Sequence, residues 1–194
     1  MSTWLLLFAG LVLAAVISGL ARSRLFVPRE HAEEDVVALL RRGAFVSELH
    51  AQTPGAAIAE LVRALGSLLT GHKRSARDAV LERELLESTG LGDEVAIPHA
   101  ALQGLARPLL ALGRSPRGID FGAPDGRPAR IVFLLLIPPG AHQEEVRILA
   151  SIARATLEQG ARNELVGASG LEEVTRVLAR SAKKTRESMR PSRS

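Results

Sequence analysis

Seven consecutive apolar residues, IVFLLLI, follow Arg130 and end at Ile137. Pro138, Pro139 and Gly140 come directly after this run and stop regular structure there. A strand with no polar residue on either face has to be covered on both faces. The segment therefore predicts the central strand of a sheet that lies between two layers of helices.

Helical patterns and shorter apolar strands alternate along the rest of the chain. Capping residues mark several boundaries, as where Thr53 precedes Pro54 at the first position of a helix. The predicted helices cover residues 33–42, 54–70, 76–87 and 143–157, with a last one after Ser169, and the other predicted strands cover 44–50, 95–97 and 109–112. Strands interleaved with helices predict an α/β sandwich, a β-sheet flanked by helices on both faces.

The N-terminal leader is apolar. Residues 4–21 read WLLLFAGLVLAAVISGLA and carry no charge, and a helix of this length spans about 27 Å, close to the hydrocarbon thickness of a bilayer. Three arginines follow within residues 22–29, so the positive-inside rule assigns the N-terminus to the outside and the rest of the chain to the cytoplasm. We therefore expect residues 1–21 to form a single-pass anchor in the cell (inner) membrane, and residues 22–43 to form a juxtamembrane linker and a short helix.

Two other interpretations of the leader stay open. One is a cleaved signal peptide: Gly19-Leu20-Ala21 has the small residues of a cleavage site, although no basic region precedes the apolar stretch. The other is a buried helix of a soluble protein. An anchor would hold the following domain near the membrane surface, because the link from Arg22 to Ala32 extends to about 35 Å at most.

The net positive charge of the chain comes from its end. Residues 181–194 contain five basic residues and one acid, which accounts for the whole net charge of +4. The remainder is charge-balanced, so no nucleic-acid partner is expected although the sequence pI is about 10.5. Because Ser and Arg dominate this tail, we expect it to be disordered, with contact to anionic lipid as a sharper hypothesis and RNA binding as a weaker one. A chain without cysteine has no disulfide, thiolate zinc site or catalytic thiol.

His99 is the candidate reactive residue. Pro98 ends the short strand Val95-Ala96-Ile97, so His99 is expected at the strand tip, where a side chain can meet a partner. An imidazole there can act as a nucleophile or a base. A surface histidine that only caps the strand end is the alternative.

The segments around His99 resemble those of a known family. Arg83-Glu84, the loop Ser88-Thr89-Gly90-Leu91-Gly92 and the sequence Ile97-Pro98-His99 stand here in order. The likeness continues through Gly118-Ile119-Asp120-Phe121, the turn Pro138-Pro139-Gly140 and residues 143–153. Together they resemble the type 2 enzyme IIA domain of the bacterial phosphoenolpyruvate-dependent phosphotransferase system (PTS), in its fructose, mannitol and nitrogen-regulatory branch. The resemblance covers residues 44–180.

The resemblance implies a fold and a chemistry. The fold is a central mixed β-sheet flanked by helices, and the chemistry is that of a phosphotransferase with a covalent phosphohistidine intermediate. The phosphocarrier protein HPr would donate a phosphoryl group to His99, and a IIB component would accept it; neither a metal nor another cofactor is implied. Arg83 matches the active-site arginine of the family, unless it only pairs with Glu87 one helical turn on. Thr89, Gly90 and Gly92 would support the phosphate with N–H groups and a hydroxyl.

The chain departs from the family at one position. Many members carry a second active-site histidine in a His-Leu pair, and the matching pair here is Glu145-Val146. A carboxylate facing the phosphate would repel it, which puts fast transfer in question. His142 is one candidate replacement, and a hydrogen bond from His99 to Glu145 that fixes the ring tautomer is another. In the remaining interpretation, Glu145 only favours the N-terminus of its helix.

Two functions follow as expectations. The first is a phosphocarrier that passes phosphate from HPr through His99 to a IIB component. The second is a membrane-tethered regulatory module that signals to a target protein by its phosphorylation state, without sugar transport. The lost second histidine and the expected tether favour this alternative.

Overall fold

The computed structural model describes residues 31–188. The predicted membrane anchor and residues 189–194 of the predicted tail lie outside the described residues. Among the helices within residues 31–188, none has the length and apolar character needed to cross a membrane.

Helices and strands alternate along the described chain. The helices are α1 (His31–Arg42), α2 (Pro54–Ala64), α3 (Lys73–Leu86), α4 (His142–Ala155), α5 (Gln159–Gly167) and α6 (Leu171–Ser188), with a 3₁₀ turn at Gly66–Leu69. The strands are β1 (Ala44–Val46), β2 (Gly90–Gly92), β3 (Val95–Ala96), β4 (His99–Ala101), β5 (Leu109–Ile119) and β6 (Ala129–Ile137).

The strands form one mixed sheet in the order β1-β5-β6-β3-β2, and β4 also pairs with β6. β5 and β6 are antiparallel, whereas β3 and β4 run parallel to β6. One row of the sheet joins Leu110, Leu135 and His99, because Leu135 of β6 is the partner of both other residues. The mixed sheet expected from the resemblance is confirmed.

Strand β6 lies at the centre of the molecule because its residues alternate between two cores. Ile131, Phe133 and Leu135 pack with apolar residues of α1, α4, α5 and α6. Val132 and Leu134 pack on the opposite face with residues of α2 and α3. All five side chains are buried, so the prediction of a central strand covered on both faces is confirmed.

The predicted boundaries needed correction at several elements. Strand β5 runs to Ile119, well beyond the predicted end at Leu112, because its pairing with β6 resumes after an irregularity beyond Arg114. Helix α3 begins at Lys73, before the predicted cap at Ser75, whose hydroxyl donates to the His72 carbonyl within the helix. Helix α5 was not predicted. The Thr53 cap of α2 is confirmed, since its hydroxyl oxygen accepts from the Ala56 N–H at 3.3 Å.

The tail prediction is wrong for residues 181–188, which continue helix α6. Ser181, Ala182 and Thr185 are buried there, and the Thr185 hydroxyl donates to the Arg154 carbonyl at 3.3 Å. Lys184 pairs with Glu158 at 2.8 Å. The buried face of this last part of α6 consists of small residues with little hydropathy, so the basic composition hid an amphipathic helix.

Candidate active site

His99 is the first residue of β4. The sequence predicts it at a strand tip, but Pro98 only interrupts the pairing: its carbonyl accepts from the Leu135 N–H at 3.0 Å, and the chain resumes beside β6 as β4. Helix α3 packs against β4 on one side of the sheet. The His99 side chain keeps 16% of its surface exposed, so it is held by the sheet and still reachable from solution.

The backbone orients the His99 ring. Its Nδ1 lies 2.8 Å from the carbonyl oxygen of Ile97. A carbonyl oxygen only accepts hydrogen bonds, so Nδ1 is the nitrogen that carries the proton, and the lone pair of the neutral ring is on Nε2. The structure thus leaves Nε2 as the ring nitrogen with an available lone pair.

Glu145 and His142 lie at the edge of this site, both in the first turn of α4. Glu145 Oε1 is 3.7 Å from His99 Nε2, and Glu145 Oε2 is 3.5 Å from His142 Nδ1. Glu145 is 20% exposed and His142 is 82% exposed. The separation from Nε2 exceeds a hydrogen-bond length, so the Ile97 carbonyl, and not Glu145 as one interpretation expected, fixes the tautomer of His99.

Arg83 lies in the last turn of α3 and pairs with Glu87. Its Nη2 is 3.0 Å from Glu87 Oε2, and its Nη1 donates to the Glu87 carbonyl at 3.4 Å. This is the pairing that the sequence left as the alternative to phosphate contact. An exposed pair of this kind contributes roughly 0–1 kcal/mol, so little opposes its exchange for a stronger anion.

Glu84 is a site residue whose role the sequence did not predict. Its carboxylate accepts the N–H of Thr89 at 3.1 Å and also the hydroxyl of Thr89. The Thr89 carbonyl in turn accepts the N–H of Ile97 at 3.0 Å. Glu84 therefore fastens residues 88–92 to α3. Because Ile97 also orients His99, the same hydrogen bonds connect α3 to the candidate reactive residue. The available signal was the place of Glu84 beside Arg83 in the Arg-Glu pair of the family signature.

Close packing explains Gly90, and backbone conformation explains Gly92. A Cβ at Gly90 would lie 2.8 Å from the Ala123 nitrogen and the Phe121 carbonyl oxygen. Gly92 has φ +94°, a conformation that favours glycine. The hydroxyl of Ser88 donates to the Phe121 carbonyl, so the motif that ends at Phe121 supports the loop from the other side.

Charged side chains secure the turn between β2 and β3. Asp93 pairs with Arg127 at 3.3 Å and with the buried Arg162 of α5 at 3.0 Å. Backbone N–H groups of Asp93 and Arg127 donate to Asp125 and hold the pKa of that carboxyl below its usual value. Arg162 also donates to the Thr156 carbonyl, so a buried arginine, and not only an apolar stripe, fixes α5 in place. Within residues 31–188, no cluster of three or more metal-ligating side chains is present.

The fold and the site together define a class: a mixed α/β sandwich with one oriented histidine beside a glycine-containing loop. The sequence model of the family described as "Phosphoenolpyruvate-dependent sugar phosphotransferase system, EIIA 2" matches residues 38–181. The chain belongs to this family, whose IIA domains are components of a phosphotransferase system.

Relatives come from both the sugar and the regulatory side of the family. The chain is 37% identical over 105 residues to the PTS system fructose-specific EIIA component of Haloferax volcanii, across 54% of this chain and 68% of that protein. It is 33% identical over 144 residues to the nitrogen regulatory protein of Bradyrhizobium diazoefficiens, across 74% of this chain and 94% of that protein. The crystal structure of nitrogen regulatory protein IIA-Ntr from Neisseria meningitidis matches with a TM-score of 0.69 at 29% identity, over 74% of this chain and 98% of that one.

Proposed function

We propose that the protein is a phosphohistidine carrier that accepts a phosphoryl group from HPr on His99 Nε2 and passes it to a IIB component. The observation that supports this most directly is the 2.8 Å contact of His99 Nδ1 with the Ile97 carbonyl. It leaves the lone pair on Nε2, the nitrogen that does not face the backbone. Family membership supports the same reaction type.

The proposed step is a displacement at phosphorus. The lone pair of His99 Nε2 forms the new N–P bond. The N–P bond to the donor histidine of HPr, a histidine-containing phosphocarrier protein, breaks, and its electron pair returns to the imidazole nitrogen of that histidine. The His99 ring then carries a positive charge, which the Ile97 carbonyl oxygen stabilises through the Nδ1 proton. Because phosphoryl transfer passes through a loose transition state, the remaining work of the site is to position the group and to neutralise its charge.

Arg83 is the proposed source of that neutralisation. Its guanidinium lies on the helix that packs against β4, and its present partner Glu87 holds it only in an exposed pair. A phosphoryl group carries more charge than a carboxylate and matches the planar fork of arginine. In the proposed transfer, Arg83 exchanges Glu87 for the phosphoryl oxygens.

Replacing Arg83 is expected to slow phosphorylation of His99 strongly. Arg83→Ala should lower the rate of transfer from HPr about 10²-fold, the loss typical of removing one stabilising donor from a transition state. The rate is measured by rapid-quench labelling with phosphorylated HPr. Arg77→Ala is the matched control, since Arg77 is an exposed arginine of the same helix that pairs with Asp78 at 2.9 Å; its rate should stay within about twofold of wild type. A wild-type rate of transfer to Arg83→Ala would contradict the proposed contact with phosphate and would leave the pair with Glu87 as the role of Arg83.

The carrier function is tested by phosphorylation of the purified full-length protein. Incubation with phosphoenolpyruvate, enzyme I and HPr should produce an acid-labile phosphate. Phosphorus NMR of the labelled protein should then assign the group to the Nε2 position of a histidine. The absence of a labile phosphate, or a label on Nδ1, would contradict the proposal.

A regulatory module that signals by its phosphorylation state is the second candidate. One observation favours it: the likeness to a nitrogen regulatory protein extends over 94% of that relative. Transfer to a IIB component at the rate of the fructose-specific relatives would count against it. Capture of a target protein that binds only one phosphorylation state of the chain would support it.

In either function, we propose that residues 4–21 anchor the chain once in the inner membrane with the domain in the cytoplasm, because these residues are uncharged and arginines follow them. Release of the full-length protein from membranes by alkaline carbonate would contradict the anchor.

A further inference from the structure

We infer that Glu145 sets how strongly the protein holds the phosphoryl group: its carboxylate destabilises phosphorylated His99, and His142 partly offsets this effect. The inference rests on the proposed phosphorylation of His99 Nε2. The departure from the family at this position then has a consequence for the reaction: the phosphorylated state has a low occupancy, and the phosphoryl group is passed on easily.

The geometry brings two anions together. Glu145 Oε1 lies 3.7 Å from His99 Nε2, the atom that would bear the phosphoryl group. A group bonded there extends beyond the nitrogen in the plane of the ring, so its oxygens come into the immediate surroundings of the carboxylate. Like charges at such a distance repel each other strongly when water does not screen them.

Burial limits that screening. The side chains of His99 and Glu145 are 16% and 20% exposed, and the carboxylate stands in the first turn of α4, close to β4. The N-terminal turn of a helix favours a negative side chain, so α4 supports the carboxylate in its present place. The unphosphorylated site therefore accommodates Glu145 well, and the repulsion appears only in the phosphorylated state.

His142 is placed to reduce the repulsion. Its Nδ1 lies 3.5 Å from Oε2, the carboxylate oxygen other than the one that faces His99. A protonated imidazole there would attract the carboxylate outward and lower the negative charge that the phosphoryl group meets. Since His142 is 82% exposed, water weakens this effect, and it should be smaller than that of Glu145.

The consequence for transfer is a matter of equilibrium. When the phosphoryl group leaves, the electron pair of the N–P bond returns to Nε2, and the repulsion from Glu145 disappears. Glu145 therefore favours departure of the group over its retention. The site is suited to passing phosphate on or to reporting a continuous supply, and less suited to storing it.

The test compares full-length variants in one equilibrium with phosphorylated HPr. Glu145→Gln keeps the shape and removes the charge, so the equilibrium constant for transfer from HPr to His99 should rise about tenfold. Glu145→Asp keeps the charge and alters the shape, and should stay nearer to wild type than Glu145→Gln does. The matched control is Glu144→Gln, an exposed acid of the same helical turn, which should change the constant less than twofold. His142→Asn should lower the constant by about twofold.

Salt supplies a readout that a structural role would not give. The difference between wild type and Glu145→Gln should shrink as ionic strength rises, because ions screen the repulsion. Equal equilibrium constants for wild type and Glu145→Gln, with His99 phosphorylated in both, would overturn this inference and leave the carrier function standing. A failure of every variant to accept phosphate, while a relative with the second histidine is labelled in parallel, would overturn the carrier function and the inference together.

Discussion

His99→Ala is expected to carry no acid-labile phosphate under conditions that label the wild-type protein. The described histidines near the site are not equivalent, because only the ring of His99 is held by a backbone carbonyl with Nε2 outward. His142 is 82% exposed, its ring faces a carboxylate, and it belongs to α4 and not to the sheet. We therefore expect labelling of His99→Ala to fall to background, since covalent catalysis fails without its nucleophile.

His50→Ala is the matched control for this variant. His50 is exposed, and the contact that fixes it is made by its backbone N–H, which donates to Glu60. Its substitution should leave labelling unchanged. Urea unfolding of His99→Ala should stay within about 1 kcal/mol of wild type, since the ring is partly exposed and its hydrogen bond is a single one. A stable His99→Ala protein that still takes up phosphate would place the phosphoacceptor elsewhere.

The fold was predictable where one pattern dominated. The seven apolar residues that end at Ile137 required a strand with two covered faces, and β6 has them. Weaker signals failed for identifiable reasons. β5 continues past Arg114 because its partner strand offers hydrogen bonds, and α5 is held by the buried Arg162. Pairing partners and buried charges of this kind are set by distant residues, so no local period reveals them.

The candidate site was predictable as a set of residues, but its contacts were not. The motifs around Arg83, Thr89 and His99 mark segments that the structure brings together, through the hydrogen bond between Ile97 and the Thr89 carbonyl. The hydrogen-bond and ion-pair partners of these side chains are harder to predict from the sequence. Arg83 pairs with Glu87, the alternative that the sequence left open, and Thr89 is held by Glu84, whereas the family resemblance implied that both residues contact phosphate. A spacing in the chain indicates which residues are near; the competition among acceptors in the folded site decides which bonds form.

Gly43→Ala is the second substitution expected to have a large effect, and it acts through the sheet. The sequence explains Gly43 only as the stop of α1, between Arg42 and β1. In the structure, a Cβ at this position would overlap the Leu110 carbonyl oxygen and lie 2.9 Å from the Leu110 carbonyl carbon. Both are backbone atoms of β5, so the clash cannot be relieved by a side-chain rotation. We expect a loss of about 3 kcal/mol in the free energy of unfolding, measured by urea titration.

The effect of Gly43→Ala should also reach the active site. Leu110 pairs with Leu135, and Leu135 pairs with His99. A displacement of Leu110 should therefore be passed through Leu135 to His99, the proposed phosphoacceptor. The matched control is Gly160→Ala in α5, where a Cβ would have no heavy atom within 4 Å. Alanine there should raise stability by about 0.5 kcal/mol, because glycine is the weaker helix former. Equal free energies of unfolding for Gly43→Ala and Gly160→Ala would contradict the close approach of Gly43 to the Leu110 carbonyl group. If Gly43→Ala is less stable than Gly160→Ala, as expected, the folded Gly43→Ala protein should also accept phosphate more slowly, because Leu135 and His99 are displaced together with Leu110.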